Sequence, residues 1–157
     1  MSELFLALLT VTTIIDAILA GAVLDYSIKQ LPARRIIGIY TYRKYFLASD
    51  LANGRYWYIP LGLSAYVLNV IVLILAYIQN GMSSSTILFA VAAGCSLVHA
   101  FGTSQAIPAG LRFARAKEDD EGRLNKLFDK FATWVLIRAI FGFPMFLAML
   151  LGLITIK

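Results

Sequence analysis

The chain has 157 residues, of which 60% are hydrophobic and only 15% charged, with a mean hydropathy of +0.77, whereas a soluble domain carries roughly a quarter charged residues. A soluble core of this size must still cover much of its surface with polar groups, so a soluble globular protein is excluded. The net charge of +5 does not point to nucleic acid, because the basic residues fall in connections beside apolar runs, where the positive-inside bias puts them.

Four apolar stretches, about residues 4–24, 59–78, 86–107 and 131–156, each approach the ~20 residues a helix needs to cross ~30 Å of hydrocarbon. The runs are long and lack a period of two, so they predict helices rather than strands. Residues 1–157 are therefore expected to form one all-α domain, a polytopic four-transmembrane-helix bundle. The first run follows Met1-Ser2-Glu3, which lacks the basic region of a cleaved signal peptide, and it reads as a retained span.

The connection after it carries Lys29, Arg34, Arg35, Arg43, Lys44 and Arg55. Pro32 suits a first helical turn, and the mixture of basic and aromatic residues from Ala33 to Leu47 predicts an interfacial helix in this first cytoplasmic loop. Asn53-Gly54 is a turn signal, and Tyr56-Trp57-Tyr58 form an aromatic belt at the entry to the second span. The next connection, Gln79 to Ser85, has no charge. The third carries Arg112, Arg115, Lys117, Arg123, Lys126 and Lys130, beside acids at 118–121. Asp119 or Asp120 is expected to cap a helix running unbroken into the fourth span, where Pro144 should kink without ending it. Lysine and arginine set orientation and acids count little, so both basic loops are expected to be cytoplasmic and both termini outside, in a multi-pass protein of the cell membrane. Small residues at Ala17, Ala20 and Gly21, and at Ala92, Ala93 and Gly94, suit close helix contact.

Polar groups inside hydrocarbon are expensive and normally face the bundle interior. Asp16 lies nine residues before Asp25, His99 nine before Pro108, Arg138 eight after Lys130 and Tyr66 eight after Tyr58. At ~1.5 Å per residue, each sits about 12–14 Å in from the cytoplasmic end of its span, one from every helix. Two readings follow. In one, the layer is a catalytic site: His99 is the acid/base, Asp16 orients or pairs it, Arg138 holds an anionic or carbonyl oxygen, and Tyr66 donates a hydrogen bond. In the other, Asp16 and Arg138 form a structural ion pair and His99 bonds a backbone carbonyl. Cys95 and His99 share a helical face, but no further His or Cys completes a metal set, so no metal site is expected. No phosphate loop, nucleophile elbow or paired-carboxylate motif is present. Phe131, Trp134 and Arg138 share a face that reads first as packing.

Two stretches carry a family likeness. The first runs Ala20-Gly21-Ala22-Val23-Leu24-Asp25, then Gln30-Leu31-Pro32-Ala33-Arg34, Ile37-Gly38 and Ser49-Asp50-Leu51-Ala52-Asn53-Gly54-Arg55. The second comprises His99, Ala106-Ile107-Pro108, Leu127-Phe128-Asp129-Lys130-Phe131-Ala132-Thr133-Trp134 and Arg138. In this order they resemble the anthrone-oxygenase-like family, small four-helix membrane proteins. The resemblance implies a four-helix bundle with a long first cytoplasmic connection. Fungal members of that family are associated with oxidising anthrones to anthraquinones by dioxygen, with no cofactor established. Many other members have no assigned role, so the resemblance implies the chemistry and not a polyketide substrate. The matching positions are Asp25, Pro32, Asp50, Gly54, His99, Pro108, Trp134 and Arg138. Of these, Trp134, Asp25 and Asp50 are expected to bind substrate; Asp16, Tyr66 and Cys95 rest on the depth argument alone.

The expectation is a membrane-embedded oxidoreductase or oxygenase acting on an apolar, enolisable aromatic or quinone-like molecule. Its small soluble mass and abundant apolar surface equally suit a non-catalytic accessory subunit of a larger membrane complex, or a homo-oligomer. Membrane lipids are the other expected partners. The basic segment from Arg34 to Phe46 reads first as topology signal and interface anchor, and alternatively as a binder of anionic headgroups, each basic residue contributing ~1 kcal/mol.

Overall fold

The computed structural model describes residues 3–117 and 120–156. Among these residues the protein is all-helical, with no strand. Helix α1 (Glu3–Asp25) passes through a π-helical turn at Tyr26–Gln30 into α2 (Leu31–Ile37). Helix α3 (Ile39–Phe46) passes through a second π-helical segment, Leu47–Gly54, into α4 (Arg55–Asn80). Helices α5 (Ser84–Arg115) and α6 (Glu121–Thr155) complete the bundle. The four continuous rods, 3–37, 39–80, 84–115 and 121–155, are each long and apolar enough to cross a membrane.

Every rod outruns the bilayer. At ~1.5 Å per residue they extend about 48–63 Å, against a hydrocarbon core of ~30 Å. The excess falls at one end, the end bearing both basic connections. There the chain reverses at Gly38, whose φ of 78° lies in the left-handed region that glycine adopts without steric cost. The first connection is thus a helical extension of two spans rather than a loop. Its α3 buries Ile39, Tyr42 and Phe46 against the ends of α5 and α6. Edge-on ring pairs hold this layer: Tyr42 with Phe128 at 4.9 Å, Phe46 with Phe131 at 5.1 Å, and Phe113 with Phe128 at 5.5 Å. The turn expected at Asn53-Gly54 does not form. Gly54 keeps helical angles, φ −59° and ψ −38°, and the chain runs straight on into α4.

Helix ends follow from local chemistry. Pro32 sits in the first turn of α2, directly after the π-helical turn; because the rod runs unbroken from α1, its missing N–H removes one main-chain bond there. Ser83 caps α5, its Oγ accepting from the Thr86 amide at 3.2 Å. Asp120 caps α6, accepting from the Arg123 amide at 2.9 Å; Asp119, the alternative cap, lies outside the described residues. Pro60, Pro108 and Pro144 sit inside α4, α5 and α6 without ending them. The third helix therefore continues past residue 107, where its apolar run stops. Of the small residues, Ala20, Ala92 and Ala93 are buried in helix contacts, whereas Gly21 and Gly94 are exposed with open space about them.

At the end opposite the basic connections, Phe5, Leu9, Val72, Phe89 and Met149 pack together. The Phe89 ring lies directly against Gly152 and occupies the space a Cβ there would need. Gly152→Ala is expected to lower the unfolding free energy by about 1–3 kcal/mol, the usual range for overpacking. Chemical unfolding in detergent measures it, and an unchanged midpoint would mean that α5 and α6 do not pack in this register.

Candidate functional site

Where the apolar spans meet the basic end, α1, α3, α4, α5, α6 and both π-helical segments line a half-open cavity of about 330 Å³. Its walls are mainly apolar, from Val23, Phe46, Ile59, Ala106, Phe131 and Val135. Set into them are the carboxylate of Asp50, the hydroxyls of Tyr26 and Tyr58, and the guanidinium-bearing side chains of Arg55 and Arg138. Both π-helical segments contribute: Tyr26 opens the first and Asp50 belongs to the second. Such segments widen the helix by one residue per turn and recur at functional sites.

The polar groups are ordered among themselves. Tyr26 donates its hydroxyl proton to Asp50 Oδ2 at 2.6 Å, and the Tyr42 hydroxyl donates to Tyr26 Oη at 3.2 Å. This chain engages Oδ2 of Asp50, a residue of the cavity lining. Arg138 approaches from α6, its stem against Gly102 of α5, where a Cβ would come within 2.9 Å of Cγ. Its guanidinium is within electrostatic reach of Tyr26 and of His99. Arg138 Nε is enclosed and has no hydrogen-bond partner among the described residues.

The residues expected at the site separate into three groups. Arg138 and Asp50 line the cavity. His99 and Asp16 lie beyond its walls. His99 is 3% exposed, with Nε2 unpartnered among the described residues and its ring against Gly142 of α6. Asp16 is fully buried and accepts from Asn69 Nδ2 at 3.0 and 3.1 Å. Asp16 and Arg138 form no ion pair, so the structural ion-pair reading does not hold; Asn69 is the partner, and it ties α1 to α4. Neither does His99 bond a backbone carbonyl through Nε2.

The third group is Tyr66, Trp134 and Asp25, none of which reaches the cavity wall. Tyr66 is half-buried, at the edge of the Ala65, Asn69, Val72 and Ala76 face that α4 presents to the bundle. Trp134 packs edge-on against Phe101 with centroids 5.8 Å apart. Asp25 is engaged by Lys29 and, at 3.2 Å, by Gln30. Tyr26, Tyr42 and Asn69 were not singled out by the sequence, although Asn69 stands in the run Val67-Leu68-Asn69-Val70-Ile71 as plainly as Asp16 does in its own. Among the described residues no three His, Cys, Asp or Glu side chains cluster as a metal set.

Chemically, the cavity can take a flat apolar molecule, accept a proton from it at Asp50 and hold an oxygen bearing negative charge at Arg138. Comparison of the chain with protein-family models, curated proteins and solved structures found no match.

Proposed function

We propose that the protein is a membrane-embedded oxidoreductase that oxidises an apolar, enolisable aromatic or quinone-like molecule with dioxygen in the cavity between Asp50 and Arg138. The carrying observation is that pairing: a carboxylate fixed by Tyr26 and a guanidinium with an unpartnered buried Nε, on the walls of one apolar chamber. The resemblance to the anthrone-oxygenase-like family supports the chemistry, since Asp50 and Arg138 are both among the matching positions. Both basic connections face the cytoplasm in this reading, and α3, rich in Tyr, Arg and Lys, lies at that membrane surface with its outer face.

The reaction balances without a cofactor. Asp50 removes one proton from the CH2 beside the carbonyl, and Arg138 holds the enolate oxygen that results. The electron-rich carbon passes an electron to dioxygen, and the pair recombines to form a C–O bond. The outer oxygen takes the proton from Asp50, giving a hydroperoxide. Loss of the second C–H proton, with O–O cleavage and departure of hydroxide, leaves a new carbonyl and one water. Dioxygen is reduced, and the CH2 is oxidised to C=O. His99 lies outside the cavity lining and takes no part in this step.

The test is dioxygen uptake by purified protein in nanodiscs supplied with a hydroxylated anthrone. One dioxygen consumed per quinone formed, above the rate with empty nanodiscs, is the expected result. Equal rates with and without protein would remove the proposal.

A further inference from the structure

A second feature of the basic end lies outside the cavity. Between the apolar parts of α5 and α6 the sequence places six basic residues: Arg112, Arg115, Lys117, Arg123, Lys126 and Lys130. The three arginines line a single recess of about 450 Å³ between the ends of α5 and α6, and none of the three lysines does. Orientation in the membrane depends on lysine and arginine alike, so topology does not account for this sorting. Guanidinium forks differ from ammonium groups in matching the oxygens of a phosphate two at a time.

The arginines are also uncommitted. None of their side chains has a hydrogen-bond or ion-pair partner among the described residues. Of the described carboxylates nearby, Asp120 accepts from the Arg123 amide in capping α6, and Asp129 is bound by Arg34 at 2.7 Å. Three like charges facing one space repel until an anion enters. Beneath them Pro108, Leu111 and Leu127 give the recess an apolar side. Leu111 is also part of the wall of the cavity described above.

We propose that this recess binds a phosphate group, with Arg112, Arg115 and Arg123 as its ligands. The apolar side favours the headgroup of an anionic phospholipid, whose first methylenes would cover Pro108 and Leu127; a soluble phosphate presents the same chemistry to the arginines. Basic recesses between helices at the membrane surface bind such headgroups in other membrane proteins. The proposal is independent of any reaction in the cavity.

Native mass spectrometry of protein released from mixed phosphatidylcholine–phosphatidylglycerol nanodiscs tests it, together with titration of inorganic phosphate in neutral detergent. The wild type is expected to retain phosphatidylglycerol over phosphatidylcholine, and Arg115→Gln or Arg123→Gln to cut that retention about tenfold. Arg115→Lys, which keeps the charge and loses the fork, should lie between the two. All three arginines are exposed, so the variants should keep the wild-type melting temperature, and the lysine variant serves where a glutamine variant does not fold. Binding of inorganic phosphate without phosphatidylglycerol would assign the site to a soluble phosphate source. Equal retention by wild type and variants, or no binding of either probe, overturns it.

Discussion

Asp50→Asn is expected to lower dioxygen-dependent turnover by about 10²- to 10⁴-fold, the contribution of a positioned general base, while leaving the fold intact. An asparagine carbonyl can still accept the Tyr26 hydroxyl that now bonds Asp50 at 2.6 Å, so the link between the two π-helical segments survives and only the base is lost. The loss should appear in kcat more than in KM, because the apolar walls that hold the ring system are untouched. Arg138→Leu should behave differently. It removes the cation proposed to stabilise the enolate, and it also removes a side chain packed against Gly102. Turnover kinetics on both variants check these expectations. Full activity in Asp50→Asn would mean that the proton leaves by another route.

Asn69→Leu is expected to destabilise the bundle by about 3 kcal/mol. Asp16 is fully buried, and Asn69 is its one hydrogen-bond donor among the described residues. Removing a partner leaves a desolvated acid with nothing to bond, at the upper end of the cost for such groups. Asp16→Leu in the same background takes away the orphaned group and should recover most of the loss, giving a non-additive double-mutant cycle. Unfolding in mixed micelles measures all three variants. If the double substitution costs the sum of the two single ones, the pair contributes nothing to holding α1 on α4.

Hydropathy located the four spans because it reports which residues can sit in hydrocarbon. It does not report where a helix ends. Residues 26–37, 39–58, 108–115 and 121–130 are polar enough to leave the bilayer, yet they stay helical, because Tyr42, Phe46, Phe113 and Phe128 form a core of their own beyond it. The Asn53-Gly54 pair is a turn signal only where nothing holds the backbone; here the helix runs through it. Gly38, an unremarkable residue in the sequence, makes the real reversal.

The candidate site was half legible for a similar reason. Counting residues from the span ends gives depth along a helix axis and correctly sets Asp16 and His99 in the interior. It is blind to azimuth. Tyr66 lies one residue, about 100°, from the buried face that Ala65 and Asn69 define, so the matching polar group on α4 is Asn69. The family-like stretch around Asp50 marked a residue that does reach the cavity. Its partner Tyr26 could be found only by folding a π-helical turn of α1 onto that segment.

An experimental map of the protein with a bound hydroxyanthraquinone tests the central claim most directly. The account requires the ring system to lie among Phe46, Ile59 and Phe131, with one oxygen at Arg138 and the opposite edge toward Asp50. Density for the quinone on the outer, lipid-facing surface, with side chains closing the space between Asp50 and Arg138, would contradict it.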